Sequence, residues 1–370
     1  MGGCAVKTVP QVVEAEVKLA INLVAFTRSW TQSEMVLSHR ATSGAYESPA
    51  VHELPQLQEK QWVKLVGCLA PHAQMEFEEK YSVSTVQEET FGWIFAKSCR
   101  KGYKPGTENQ DDFAILASEQ GLITGVFDGH GAAGHCVSHF VQTYLPPVLA
   151  RLTLDRPNDL PLTWESAFLE CQRKVEEASR DKAFDCVLSG TTATVAAVSG
   201  GKLIVGNVGD SMCILARRSG EIVEMTKSHR PDLPEERERI EKKGGVVRTV
   251  LGDPTPRLFL RHRDMPGLAM SRSLGDTLSK DLGASAKPHI HVLPLSAQEE
   301  FLILGSDGIW DFVESSEAVE VVRSAGKAAV QQAADALTKL AWSRWASEDA
   351  EYVDDLTVVI AYLPVPNVSH

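Results

Sequence analysis

The 370-residue sequence contains no C-x-x-C pair; its seven cysteines, at positions 4, 68, 99, 136, 171, 186 and 213, are dispersed and odd in number. That pattern argues against a zinc ribbon or a disulfide framework. It reads as reduced thiols of an intracellular protein, cytoplasmic or nuclear. No uncharged run reaches the roughly 18 residues that a membrane-spanning helix needs. The N-terminus lacks the charged start and apolar core of a secretory signal. There is no G-x-x-x-x-G-K-[ST], which removes a P-loop. Positive charge is scarce too: 37 Lys and Arg stand against 49 Asp and Glu, for a formal net charge of −12. A general nucleic-acid binder needs a basic face, so no nucleic acid is expected as a partner. A soluble monomer is expected.

Apolar residues make up 43% and charged residues 23%, enough for a sizeable core. Residues 1–88 carry no obvious chemistry and read as an extension that packs on, or regulates, the remainder of the chain. Within it, Val12 to Trp30 has the pattern of an amphipathic helix, Ala41 to Ser48 that of a loop, and Leu57 to Glu79 helix-like spacing. The opening MGGC sets Gly2 and Cys4 where a myristoyl and palmitoyl pair would attach. Val6 stands where that pattern takes Ser or Thr, so an unmodified N-terminus is favoured over peripheral membrane association. Myristate alone would bind membranes weakly, leaving Cys4 to supply the second anchor.

From about Thr90 the texture changes, and a domain over 89–365 with a short tail at 366–370 is expected. Short Val-, Ile- and Thr-rich runs bounded by Gly, Asp and Asn read as strands: Phe113–Ala117, Leu122–Phe127, Thr192–Val198, Leu203–Val208, Met212–Ala216, Phe301–Leu304 and Leu356–Tyr362. Residues 196–225 read as one antiparallel meander. Helical spacing covers Gly134–Leu149, Trp164–Ala178, Pro234–Lys243, Ser316–Arg323 and Ala328–Trp345. Runs of strands flanked by runs of helices imply α+β layers rather than a βαβ repeat.

The segment "ITGVFDGHGAAGHCVSHF" contains GHGAAG, Gly129 to Gly134, a literal G-x-G-x-x-G after an apolar run. A dinucleotide loop would need an acidic ribose acceptor about 20 residues on, at the end of a second parallel strand. Asp155 is the one candidate, crowded by Pro146, Pro147 and Pro157, and no further βαβ unit comes after it. A cysteine-phosphatase loop fails as well, because Gln142 stands where an Arg should follow Cys136. The stronger pattern is acidic. Asp128, Asp210 and Asp307 end apolar runs, Asp311 stands one helical turn later, and Asp111-Asp112 and Asp354-Asp355 lead into others. One such Asp is usually a turn former. Five or more converging strand ends would repel and call for hard divalent cations with oxygen ligands.

Together these segments resemble the metal-dependent type 2C Ser/Thr protein phosphatases. The resemblance rests on "NQDDF", "VFDGHGAAGH", "SGTTATVAAV", "LIVGNVGDSMCIL", "SHRPDLPEERERIEKKGGVV", "LAMSRSLGD", "ILGSDGIWDFV" and "DDLTVVI", from about residue 90 to 363. It implies a four-layer α-β-β-α sandwich: two antiparallel sheets face to face, helices outside, metals in a cleft at one end. It further implies Mg²⁺ or Mn²⁺ as cofactor and phosphorylated proteins as substrates, hydrolysed by in-line attack of a metal-activated hydroxide without a phosphoenzyme. By the same resemblance Asp111, Asp128, Asp307 and Asp354 would ligate a two-metal centre, largely through water, with the Gly129 carbonyl. Asp210 and Asp311, with Asp307, would form a weaker third site, and His130 would be the general acid. Asp112 and Asp355 would neighbour the ligands, and Asp276 would anchor a turn.

Two departures stand out. The family commonly carries a phosphate-gripping Arg four residues before the first acidic pair, where this sequence has Gly106; Arg100, Lys101 or Lys104 would have to substitute. Gln110 replaces a common Glu. The missing Arg keeps open an alternative reading, a weak or inactive phosphatase-fold protein that acts as a binding scaffold.

Overall fold

The structure, a computed structural model, describes residues 64–67, 91–349 and 351–364. The readings placed on Gly2, Cys4, Val12–Trp30 and Ala41–Ser48 lie outside the described residues.

Hairpins build two large antiparallel sheets. The six-stranded sheet runs in the order β1 (Lys64–Gly67), β3 (Asp112–Ser118), β4 (Gly121–Phe127), β7 (Ala193–Ser199), β8 (Lys202–Val208), β15 (His289–Pro294). The five-stranded sheet runs β10 (Ile222–Glu224), β9 (Met212–Arg217), β16 (Glu299–Gly305), β17 (Leu356–Tyr362), β2 (Ile94–Arg100). A three-stranded flap sheet comprises β11 (Gly245–Val250), β12 (Asp253–Leu260) and β13 (Pro266–Leu268). A minimal sheet comprises β14 (Leu274–Gly275), β6 (Gly190–Thr191) and β5 (Gly129–His130). The helices are α1 (Gly134–Asp155), α2 (Leu160–Arg180), α3 (Pro234–Lys242), α4 (Thr277–Asp281), α5 (Asp307–Trp310), α6 (Ser315–Ala325) and α7 (Val330–Glu348). Among the described residues no helix is long and apolar enough to cross a membrane.

Strand alternation sorts the apolar side chains into three layers. In β3, Phe113, Ile115 and Ala117 face the other sheet, where they meet Cys213, Leu215, Leu302, Leu304 and Val359. Ala114 and Leu116 face outward onto α1 and α2, with Leu145, Leu149, Trp164 and Phe168. In the second sheet Ile214, Phe301, Ile303, Val358 and Ile360 face α6 and α7. The central strands are thus buried on both faces, which explains why they read as near-continuous apolar runs. The architecture is the four-layer α-β-β-α sandwich.

Three expectations change. Residues 196–225 are not one meander: β7 and β8 pair in the first sheet, while β9 pairs with β10 and β16 in the second. The chain crosses between sheets at Gly209–Ser211, which puts Asp210 at the seam. Helix α1 holds Pro146 and Pro147 inside it, as expected, but does not stop at Leu149 and runs on to Asp155. Packing of Leu145, Val148 and Leu149 against the sheet outweighs the two N–H groups the prolines lack. Asp155 therefore closes a helix rather than a strand. Lastly, Lys64–Gly67, inside the segment read as helical, is a strand paired with β3, so the first sheet draws on the N-terminal extension. The strands without a clear sequence signal, β2 and β15, lie at sheet edges, where one-sided contact leaves room for Lys97, Arg100, His289 and His291.

The charged α3 is tied to the segment before β14 by one carboxylate. Glu236, 3% exposed, receives hydrogen bonds from Arg239 (Nη2–Oε2 2.7 Å), Arg272 (Nη2–Oε1 2.7 Å) and Ser271 Oγ. Burial alone would raise its carboxyl, but these donors hold it well below the usual carboxylate range. Such a group lends stability above its unfolded value, 4.5, which is lost as pH falls through and below it. Glu236→Gln is therefore expected to cost about 3 kcal/mol at neutral pH by urea unfolding. The gap from the unsubstituted protein should narrow below about pH 4.5.

Candidate active site

Strand register brings the acidic residues together. Asp112 pairs with Phe127 across β3 and β4, so Asp111 and Asp128, just outside the ladder, share one end of that sheet. Ala193 pairs with Val208, which adds Thr192 and the Gly209–Asp210 turn to the same end. In the other sheet Gly305 pairs with both Val358 and Met212, so Asp307, Asp354 and the opposite flank of the Asp210 turn lie there too. Asp311 comes directly after α5, on the exposed rim.

Neutral groups hold the turns that carry these charges. Thr192 accepts the Asp128 N–H on Oγ1 (3.0 Å) and donates its own N–H to the Asp128 carbonyl (2.8 Å). Its hydroxyl also meets Ser211 Oγ at 2.7 Å, stitching the Asp128 turn to the Asp210 turn. Ser306 Oγ donates to Asp111 Oδ2 at 2.7 Å and accepts the Thr357 N–H, joining the two sheets. Asp355 is a clamp: it accepts N–H groups of Gly102 (2.8 Å) and Gln110 (2.9 Å). Asp112 turns toward α1 and meets His139 Nδ1 at 3.3 Å.

The field is strongly negative. Burial and the charge of Asp355 push Asp111 up to about 7. Burial, then Asp307, Asp111 and Asp354, raise Asp128; burial, then Asp354, Asp210 and Asp311, raise Asp307. Asp307 thus raises the proton affinity of Asp128, as a like charge in a buried site does. Asp210 Oδ1 is buried without a partner. The donors are all oxygen, the set a hard divalent cation takes. Among the described residues no three His, Cys, Asp or Glu side chains close on one point tightly enough to enclose an ion directly. An all-oxygen set of this kind fits a hard divalent cation such as Mg²⁺, which ordinarily keeps several waters.

Gly129 stands among these groups for a packing reason. A Cβ there would lie 2.5 Å from the carbonyls of both Gln110 and Gly134. Its N–H donates to the Gln110 carbonyl at 3.1 Å, and Gln110 Nε2 donates to Gly131 O at 2.6 Å. The glutamine at this position is therefore a donor, a role Glu cannot fill when ionised.

The minimal sheet builds a second constellation. His130 pairs with Gly190, and Gly275 pairs with Gly190 from the other side, so His130 and Asp276 meet across a glycine. His130 Nε2 lies 2.8 Å from Asp276 Oδ2. A Cβ on Gly190 would sit 2.2 Å from that same oxygen. Ser273 Oγ also donates to it at 2.6 Å, and Lys280 Nζ donates to Ser273 Oγ at 2.8 Å. An ionised Asp accepts only, so Nε2 carries the hydrogen and Nδ1, buried and unpartnered, is the nitrogen left for chemistry. Burial opposes protonation of His130, but Asp276, and more weakly Asp210, outweigh it and raise its pKa. Sequence reading passed over Asp276 as a turn anchor. It is a turn residue, with φ of 49°, but its carboxylate belongs to the histidine.

The three basic candidates separate. Arg100 bonds Ser98 and lies 3.6 Å from Asp335 of α7. Lys101, 2% exposed, spends its ammonium on the carbonyls of Gly102 and Lys104. Lys104 reaches the acidic group, 2.6 Å from Asp354 Oδ1 and 2.8 Å from Asp355 Oδ2. Burial works against its charge, but those carboxylates hold it charged. Gly106 occupies an exposed turn and offers no side chain. Tyr352 OH donates to Asp354 Oδ2 at 3.0 Å. Because Asp276 raises the imidazole pKa, Asp276→Asn is expected to lower it, read from the His130 ring-proton resonance against pH.

The protein phosphatase 2C family profile matches residues 108–350. "Probable protein phosphatase 2C 64" of Oryza sativa subsp. japonica is 34% identical over 283 residues, 73% of this chain and 65% of that protein, so the match spans less than two thirds of this relative's length. "Probable protein phosphatase 2C 72" of Arabidopsis thaliana is 35% identical, covering 68% of this chain and 81% of its own. Among solved structures, a serine-threonine phosphatase 2C from Toxoplasma gondii shares the fold with a TM-score of 0.64 at 21% identity, over 75% of this chain and 96% of its own. With the family profile matching over 108–350 and relatives more than 30% identical across most of the chain, the chain belongs to the protein phosphatase 2C family.

Proposed function

We propose that this chain removes phosphate from phosphoserine and phosphothreonine side chains of proteins in a Mg²⁺- or Mn²⁺-dependent reaction. In this reading Asp111, Asp128, Asp307 and Asp354, with the Gly129 carbonyl, hold two ions. Asp210 and Asp311, with Asp307, hold a weaker third. The observation that carries it is the juxtaposition of a carboxylate-rich seam with a histidine whose far nitrogen is fixed on a buried aspartate. Bound at such a seam, divalent ions supply Lewis acidity toward phosphoryl oxygens and acidify water.

The chain's own residues do the rest. The carboxylates fix the position of the phosphate relative to His130. Asp276 accepts from Nε2, orients the ring and favours the imidazolium, so that a proton rests on Nδ1 for the departing serine or threonine oxygen. Ser273 keeps the Asp276 carboxylate in place, and Lys280 in turn bonds Ser273. Of the three basic candidates, Lys104 is the one whose ammonium faces the seam, and it takes the phosphate-holding role as a point charge.

Phosphate release from a phosphothreonine peptide tests this. Turnover should vanish on thorough chelation and return with Mn²⁺, and Asp128→Ala and Asp307→Ala should be silent. His130→Gln should lower kcat by about 10²–10⁴. Turnover that survives chelation would overturn the metal requirement. Well-folded protein inert toward a broad phosphopeptide panel with both ions would favour the scaffold reading.

A further inference from the structure

A second site lies on the outer helical layer. A cavity of about 340 Å³ opens between the C-terminal half of α1 and the start of α2, lined among others by Tyr144, Arg151, Arg156, Asp159, Thr163 and Glu170. That volume lies within the range of small-ligand pockets, roughly 300–1,000 Å³. Two polar atoms of its lining, Arg151 Nε and Thr163 Oγ1, are buried and have no hydrogen-bond partner in the protein. Thr163 is only 6% exposed. A buried donor left unpaired costs about 1–3 kcal/mol, so two of them on residues that line one cavity mark a place where an acceptor is wanted.

Arg151 is a donor without acceptor capacity, and the Thr163 hydroxyl can donate beside it. An oxygen pair satisfies both. Arg156, exposed at the mouth, adds a second cation. The rim also carries Asp159, exposed at the N-cap of α2 with no capping bond of its side chain, and Glu170, which accepts from Tyr144 OH at 3.4 Å and lies 3.9 Å from Arg173. Two cations and two anions around the cavity cancel, so a densely charged anion such as phosphate is disfavoured and a carboxylate is the better match.

We propose that the α1–α2 cavity is a binding site for a small carboxylate, with one carboxylate oxygen pair taken by Arg151 Nε and Thr163 Oγ1. It is separate from the acidic seam. Arg151 lies 17 residues beyond Gly134, which at 1.5 Å per residue is about 25 Å along α1. The inference is independent of the phosphatase reading.

The test monitors the arginine Nε–H resonances of the full chain by NMR in excess Mg²⁺, with the Arg151 signal assigned by its loss in Arg151→Met. Titration with succinate is expected to move that signal saturably. The isosteric Thr163→Val should weaken the response by about tenfold, one lost hydrogen bond. Inorganic phosphate should bind this site more weakly than succinate. An Arg151 signal that does not move, or that moves equally with sodium chloride at matched ionic strength, would overturn the proposal. So would an unchanged succinate response in Thr163→Val. Phosphate binding as tight as succinate would overturn the assignment to carboxylates. Should Arg151→Met fail to fold, Arg151→Lys, which also lacks a guanidinium Nε–H, supplies the same assignment.

Discussion

Repulsion among carboxylates is the constraint around which this molecule is organised. Asp111, Asp128, Asp210, Asp307 and Asp354 are brought to one seam, where burial and then neighbouring carboxylates raise the proton affinity of Asp111, Asp128, Asp210 and Asp307. Such a group is costly to assemble and would splay if its supports were soft. The supports are hydroxyls and backbone N–H groups: Thr192, Ser211, Ser306, and the amides that clamp Asp355. The energy that holds those supports still comes from three apolar layers, each made by alternate residues of the strands that end at the seam.

A separate device fixes the histidine. Three two-residue strands bring Gly129–His130, Gly190–Thr191 and Leu274–Gly275 side by side. Their length makes them negligible as a stabilising sheet, yet they set the His130–Asp276 contact at 2.8 Å across a glycine that leaves no room for a methyl group. The same glycine-rich loop that mimics a dinucleotide fingerprint therefore serves close packing, at Gly129 against Gln110 and Gly134. The substitution of Gln for Glu at 110 is absorbed by a donor bond to Gly131. Lys104 supplies a compact cation directly onto Asp354 and Asp355. An ammonium offers a point charge rather than the planar fork of an arginine.

Much of this was legible from residue order. The central strands are continuous apolar runs because both faces are buried, and the acidic residues at their ends do gather at one seam. The family pattern was legible for the same reason, since metal-site chemistry restricts residue type. The limits were equally physical. Edge strands β2 and β15 mix polar and apolar residues, and their signal is lost. The helical spacing was read only as far as Leu149, whereas burial of its apolar face carries α1 six residues further, to Asp155.

Residue types and local spacing determined by themselves the layered α+β class, the acidic strand ends and the presence of His130 beside them. Only the tertiary structure decided which partners these residues took. Arg100 and Lys101 were equal to Lys104 on paper, but register sends the first toward Asp335 and closes the second on backbone carbonyls. Asp276 stood 146 residues from His130 and was indistinguishable from a turn former until the small sheet joined them. The passage of the chain from one sheet to the other at Asp210 likewise left no mark in a run that reads as one meander. Contacts between distant segments depend on register and layer packing, and a chain's local pattern carries no record of either.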